Sequence, residues 1–200
     1  MLAYAQKRGQ TINRWTHSLR MGDHVLHLYR DDEDRERAIT ETYAWLPKKA
    51  KMLVFSPNGK LPCQLGKATG VDPGEEIRAG RLQSRRTEDA YIPYGEFHSR
   101  RALHSLEDAV ERAESEGFES LVVVGDVSWI NSMKDAFPEF VRYETGINFL
   151  DFPIDVALIC QYDRRTMAGD DLQRVCSVHE KILADHHLDR NCWLISRGGN

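Results

Sequence analysis

"LVVVGDVSWI", residues 121–130, decides the fold. Four apolar residues run into Gly125 and Asp126, and Trp129 follows. A strand that is apolar on both faces belongs in a parallel sheet covered by helices on each side. A strand of this kind that ends on an acid is also what a nucleotide hydrolase uses to hold Mg²⁺. Asp126 therefore has two readings, a metal-binding acid or a structural carboxylate at the rim of the sheet.

The flanking segments extend the first inference. Upstream, "HVLHLY" (24–29) and "KMLVFS" (51–56) read as strands, and the acid-capped stretch 31–46, ended by Pro47, reads as a helix. The Gly- and Pro-rich stretch 57–80 holds one short helix near 62–69, and 81–92 alternates weakly, as a strand followed by a loop. A long helix over 99–117 stops at a glycine. Beyond the opening segment, the pattern predicts a helix over 138–150, a strand over 154–161, a helix over 170–184 and a strand over 191–196. Alternating strands and helices give an α/β fold, a three-layer α/β/α sandwich with a mainly parallel sheet. We expect an N-terminal arm over 1–21 carrying Trp15, a single domain over 22–196 and a tail over 197–200.

Composition narrows the function. The chain has 200 residues, 41% hydrophobic, with 27 basic and 31 acidic side chains and a net charge of -4. No basic face argues for nucleic acid, and no apolar run is long enough to span a bilayer. The N-terminus lacks the apolar region of a signal peptide. Cys63, Cys160, Cys176 and Cys192 form no C-x-x-C pair, so we expect reduced thiols in the cytoplasm, no metal and no cofactor. His24 and His27 point to opposite faces of one strand and cannot share a metal from it.

The nucleotide reading of Asp126 fails elsewhere in the chain. A phosphate loop needs G-x-x-x-x-G-K-[ST] between a strand and a helix. At Gly59-Lys60, Val54 replaces the leading glycine and Leu61 the hydroxyl; at Gly66-Lys67, Leu61 and Ala68 do so. Asp31, Asp32, Glu33 and Asp34 occupy the first strand-to-helix junction, where each close contact with phosphate would cost about 4 kcal/mol. Asp126 is therefore better read as a rim or structural carboxylate.

With its elements in place, the chain resembles the MEDS family, the methanogen/methylotroph sensory domain. The motifs that carry this are "GDHVLHLY" (22–29), "KMLVFSP" (51–57), "AYIPYGEFH" (90–98), "GFESLVVVGDVSW" (117–129), "FVRYETGIN" (140–148), "ALICQYD" (157–163), "VCSVHEKIL" (175–183) and "CWLIS" (192–196). The chain departs from the family pattern at Val122 or Val123, where an Arg is frequent, and at Leu26 or His27, where a Cys is common. The resemblance implies a KaiC/RecA-type core that has lost its phosphate loop. It also implies a signal-input module for small molecules, proposed to be hydrocarbon derivatives, working with histidine kinases or DNA-binding segments. The residues outside 22–196 are too few for either output domain, so we expect a stand-alone sensor that signals through a partner protein, a histidine kinase or transcription regulator, with a homodimer as its assembly.

Ligands of open α/β sheets bind beyond the carboxyl ends of the strands. We therefore expect a mostly apolar pocket lined by Tyr29, Tyr91, Trp129, Glu144 and Tyr162, with His24 and Asp126 orienting the ligand. Tyr91 and Tyr94 would form a loop flap over it. Asn148 is four residues after Glu144 and shares its helix face; Cys160 shares a strand face with Tyr162. No catalytic residue is assigned. A Cys160–His179 dyad, with His179 on the following helix, would lack an oxyanion hole. The rival readings are a degenerate nucleotide-binding protein or ATPase-derived enzyme using Asp126 and Glu144, and an interaction module whose rim is filled by side chains.

Overall fold

The computed structural model describes residues 14–167 and 169–191. In chain order it contains β1 (His24–Tyr29), α1 (Asp32–Trp45), β2 (Ala50–Ser56), α2 (Leu65–Thr69), α3 (Pro73–Arg78), β3 (Leu82–Arg86) and α4 (Thr87–Tyr91). There follow α5 (Ser99–Ser115), β4 (Ser120–Asp126), α6 (Phe137–Ile147), β5 (Asp155–Asp163), α7 (Gly169–Cys176), β6 (Lys181–Ala184) and β7 (His187–Arg190). The strands form one sheet in the order β3-β2-β4-β5-β1-β6-β7, parallel except for the β6–β7 pair.

The opening segment is central to this sheet. β4 pairs with β2 on one side and β5 on the other, and all of its residues are buried. Its alternation feeds two cores. Val122 and Val124 pack with Ala38, Ile39 and Tyr43 of α1, whereas Leu121 and Val123 pack with Leu106 and Val110 of α5 and Phe140 of α6. Helices cover both faces, so the observed fold is the expected three-layer sandwich.

Local chemistry explains the element ends. The Asp31 side chain accepts the Asp34 backbone N–H at 2.8 Å and caps α1. Asp72 caps α3 with Pro73 in its first turn. After α5, Gly117 takes φ +88°, the left-handed conformation that lets the chain leave the helix. Of the expected N-terminal arm, Arg14–His17 form a 3-10 turn that docks on the body. Trp15 is buried there and its indole N–H donates to Glu41 at 2.5 Å. Residues 1–13 of that arm, the tail 197–200 and all of the expected strand 191–196 except Asn191 lie outside the described residues.

Three expectations need correction. The stretch 57–80 holds a second short helix, α3, beside α2. The segment after β3 is the helical turn α4, not a loop. The helix predicted over 170–184 ends at Cys176, and the chain then forms the β6–β7 hairpin. That hairpin turns on Asp185 (φ 47°) and His186 (φ 66°). Two successive positive φ values are what a tight two-residue hairpin needs, but the usual Asn-Gly signal is absent. Among the described residues, no helix is long and apolar enough to cross a membrane.

Candidate functional site

Glu144 is the centre of a buried polar cluster. Phe140, Tyr143 and Ile147 turn the apolar face of α6 toward the sheet, and Glu144 lies within that stripe, fully buried. A carboxylate in such a place must be hydrogen-bonded or paired. Its Oε1 accepts the Tyr162 hydroxyl at 2.8 Å. Its Oε2 lies 3.1 Å from His24 Nε2, 3.5 Å from His179 Nε2 and 3.6 Å from Cys160 Sγ. Cys160 Sγ is also 3.6 Å from His24 Nε2. One donor atom from each of His24, Glu144, Cys160 and His179 lies within 4.8 Å of all the others, and all four residues are buried.

The outer nitrogens of both imidazoles are fixed. Asn148 donates its amide N–H to the Val178 carbonyl at 2.7 Å, which turns its Oδ1 toward His24 Nδ1 at 2.9 Å, so Nδ1 is the donor. His179 Nδ1 donates to the Val175 carbonyl at 2.7 Å. Asn191 holds the turn that carries His179, donating to the carbonyls of Cys176 and His179. His179 Nε2 is buried, faces Glu144 and has no hydrogen-bond partner.

Burial and the neighbouring His24 lower the His179 pKa to about 3, so this ring is neutral near pH 7. Burial pushes Glu144 upward, but the His24 contact, the two imidazoles and the Tyr162 hydroxyl bring it below the usual value. Burial, then the Glu144 charge, raises both Cys160 and Tyr162, which remain thiol and phenol.

Against this cluster rests a set of aromatic rings. Trp129, in the 3-10 turn Ser128–Ser132, stacks on Tyr91 with centroids 5.6 Å apart. It also meets Phe97 at 5.2 Å and Phe140 edge-on at 5.6 Å. Phe140 touches Tyr162, and Tyr162 stands edge-on to His179 at 5.9 Å. The Trp129 indole N–H is buried without a partner. Tyr91 was expected in a loop flap with Tyr94; instead it ends α4 and is buried, while Tyr94 is exposed.

Tyr29 and Asp126 do not join this site, because they lie on the α1 face of the sheet. Asp126 is 1% exposed, and its Oδ2 accepts Tyr29 Oη at 3.0 Å and Arg35 Nη1 at 3.3 Å. Its Oδ1 accepts the backbone N–H and hydroxyl of Ser128. The acid of the opening segment is thus fully engaged in tying β4 to β1 and α1. Of the junction acids, Asp31 caps α1, and Asp34 accepts the Arg30 N–H at 3.1 Å and pairs with Arg37 at 2.6 Å.

The expected pocket at the strand ends is therefore divided by the sheet. His24, Glu144, Asn148, Cys160 and Tyr162 come together, with Tyr91 and Trp129 in the adjoining aromatic layer. His24 begins β1, whereas Cys160 and Tyr162 lie further along β5, so the cluster sits on the α6 face of the sheet rather than beyond its carboxyl rim. The expectation of no metal rested on ligand spacing, yet the fold assembles four donors from β1, α6, β5 and the turn after α7. His179 lies in that turn rather than on a helix, and Phe97, Phe140 and Arg35 take their places on the two faces of the sheet without any local sequence signal that marks them. Elsewhere, a groove of about 190 Å³ opens between β2, β3 and α5, lined by Lys51, Phe55, Arg85, Asp89 and Arg112 among others. Its mixed charges set it apart from the aromatic layer.

The family model for MEDS, described as the methanogen/methylotroph, DcmR sensory domain, matches residues 23–180. The chain belongs to the MEDS family. MEDS is a sensory domain family, and the matched range contains all four residues of the buried cluster. The β6–β7 hairpin lies beyond the MEDS match. No curated protein matches the chain.

Proposed function

We propose that this MEDS domain is a signal-input module that binds a small, mostly apolar molecule, such as a hydrocarbon derivative. The ligand site is the α5–α6 side of the sheet. The observation that carries this reading is the juxtaposition of two surfaces. Tyr91, Phe97, Trp129, Phe140 and Tyr143 supply apolar walls, and the Glu144 cluster supplies a few fixed polar groups at their base. Small-molecule sites have this make-up. The unpartnered Trp129 N–H adds a donor that a ligand oxygen can satisfy.

Binding here separates Tyr91 from Trp129 and shifts α4 and the 3-10 turn, because the rings fill the space between them. A ligand that favours the opened arrangement changes the population of that surface, which a partner signalling protein, a kinase or transcription regulator, reads. The activity is recognition rather than turnover.

The test combines native mass spectrometry of freshly purified protein with titration by short alcohols, thiols and halomethanes, followed by tryptophan emission. A saturable emission change that is lost in Trp129→Phe is the expected result. No bound molecule together with no saturable response to any of these compounds overturns the reading, as does Mg²⁺-dependent ATP binding by calorimetry.

A further inference from the structure

We propose that His24, Glu144, Cys160 and His179 bind one divalent transition-metal ion of borderline softness, with zinc the best fit. The inference goes beyond the sensory reading and stands whether or not an organic ligand binds.

The first observation is geometric. Tetrahedral zinc with bonds of about 2.0–2.3 Å places neighbouring ligand atoms about 3.3–3.7 Å apart. The separations here are 3.1 Å from His24 to Glu144, 3.5 Å from His179 to Glu144, and 3.6 Å from Cys160 to both His24 and Glu144. The remaining two edges fall within the 4.8 Å that bounds the group. The atoms thus stand near the corners of a coordination tetrahedron.

The second observation is the His179 ring. The Val175 carbonyl fixes its Nδ1 as the donor, and its Nε2, buried without a hydrogen-bond partner, is aimed at the Glu144 carboxylate. Two acceptors facing each other at 3.5 Å need something positive between them. A proton on His24 Nε2 satisfies His24 alone and leaves His179 Nε2 unpartnered. A cation satisfies all of these atoms. An outer nitrogen that donates to a carbonyl or amide oxygen is how proteins orient metal-ligating histidines, and Asn148 and Val175 do this for His24 and His179.

The donor set selects the ion. Two imidazoles, a thiolate and a carboxylate suit zinc, whereas Mg²⁺ and Ca²⁺ prefer oxygen alone. On binding, the Cys160 S–H bond breaks, its electron pair forms the sulfur–metal bond, and the proton passes to solvent. The thiolate and the Glu144 carboxylate then offset the two charges of the ion, leaving a neutral buried site.

The test titrates Co²⁺ into the full chain after chelator treatment. One equivalent gives tetrahedral visible bands and a sulfur-to-cobalt charge-transfer band, both displaced by Zn²⁺. Cys160→Ser, checked as folded by circular dichroism, loses the charge-transfer band. Asn148→Ala weakens binding about 10–100-fold. If chelation unfolds the chain, refolding with Zn²⁺ but not Mg²⁺ supports the site. A spectrum that stays that of hydrated cobalt overturns it, as does a charge-transfer band that survives in Cys160→Ser. Titrating the organic compounds into the chelated protein separates the two readings: an emission response without cobalt binding removes only the metal.

Discussion

A Cβ placed on Gly125 would lie 2.7 Å from the Tyr91 hydroxyl oxygen, so the glycine of β4 and the last residue of α4 are fitted to each other. Gly125→Ala forces Tyr91 from its seat and costs about 1–3 kcal/mol, the usual penalty of overpacking. The displaced ring leaves Trp129, so tryptophan emission shifts in the same variant. Adding Tyr91→Phe removes the obstructing oxygen and recovers most of the loss. Urea midpoints of the two single variants and the double variant check this; a strictly additive result would show that the fit does not matter.

Asp126 predicts a stability effect rather than a catalytic one. Asp126→Asn removes the charge that Arg35 meets at 3.3 Å, and that Arg35 side chain is only 10% exposed. Breaking a buried pair from one side costs about 3 kcal/mol. Replacing Arg35 by Met in the same chain recovers part of it, since the stranded charge is gone. Chemical denaturation measures both.

His27 makes the fold acid-sensitive. Burial is the main cause that lowers its pKa to about 4 from 6.5; Arg37 and His186 act in the same direction, and Asp34 opposes them. Above pH 6.5 the ring is neutral both folded and unfolded. As pH falls from about 6.5 toward 4, the unfolded chain takes up a proton that the folded chain refuses, and stability is lost. The loss is about 1.4 kcal/mol by pH 5.5 relative to pH 8. His27→Gln flattens this part of the pH–stability curve, read from urea midpoints; an unchanged curve would assign the acid sensitivity elsewhere.

Asn191 links the end of the hairpin to the cluster through its bonds to Cys176 and His179. Asn191→Ala leaves those carbonyls short of a donor and costs about 1–3 kcal/mol. It also loosens the turn 177–180. Hydrogen exchange of the backbone amides in that turn should accelerate while those of β4 do not; equal acceleration in both would mean a global loss instead.

The sequence makes the sheet legible because burial on both faces leaves a continuous apolar run, and β4 is the clearest case. The pairing of Glu144 with Asn148 is legible for a similar reason, since helix geometry alone puts residues four apart on one face. The rest of the cluster depends on long-range register. His24 reaches Glu144 only because β1 lies beside β5 with His24 opposite Leu158, and no local pattern encodes that. The same gap hides the division of Tyr29 and Asp126 from Trp129. Parity along one strand is readable, but which parity of β1 matches which of β4 needs the assembled sheet. His179 was obscured by a turn: Asp185 and His186 adopt positive φ without glycine, and the hairpin therefore reads as more helix.

The position of Asn191 has a mechanical consequence. One side chain, directly after β7, grips both the end of α7 and the turn that presents His179. The imidazole at the heart of the domain and the end of the hairpin are thus joined through one amide, as two arms share a pivot. The path between them runs through side-chain and backbone hydrogen bonds alone and does not cross the sheet.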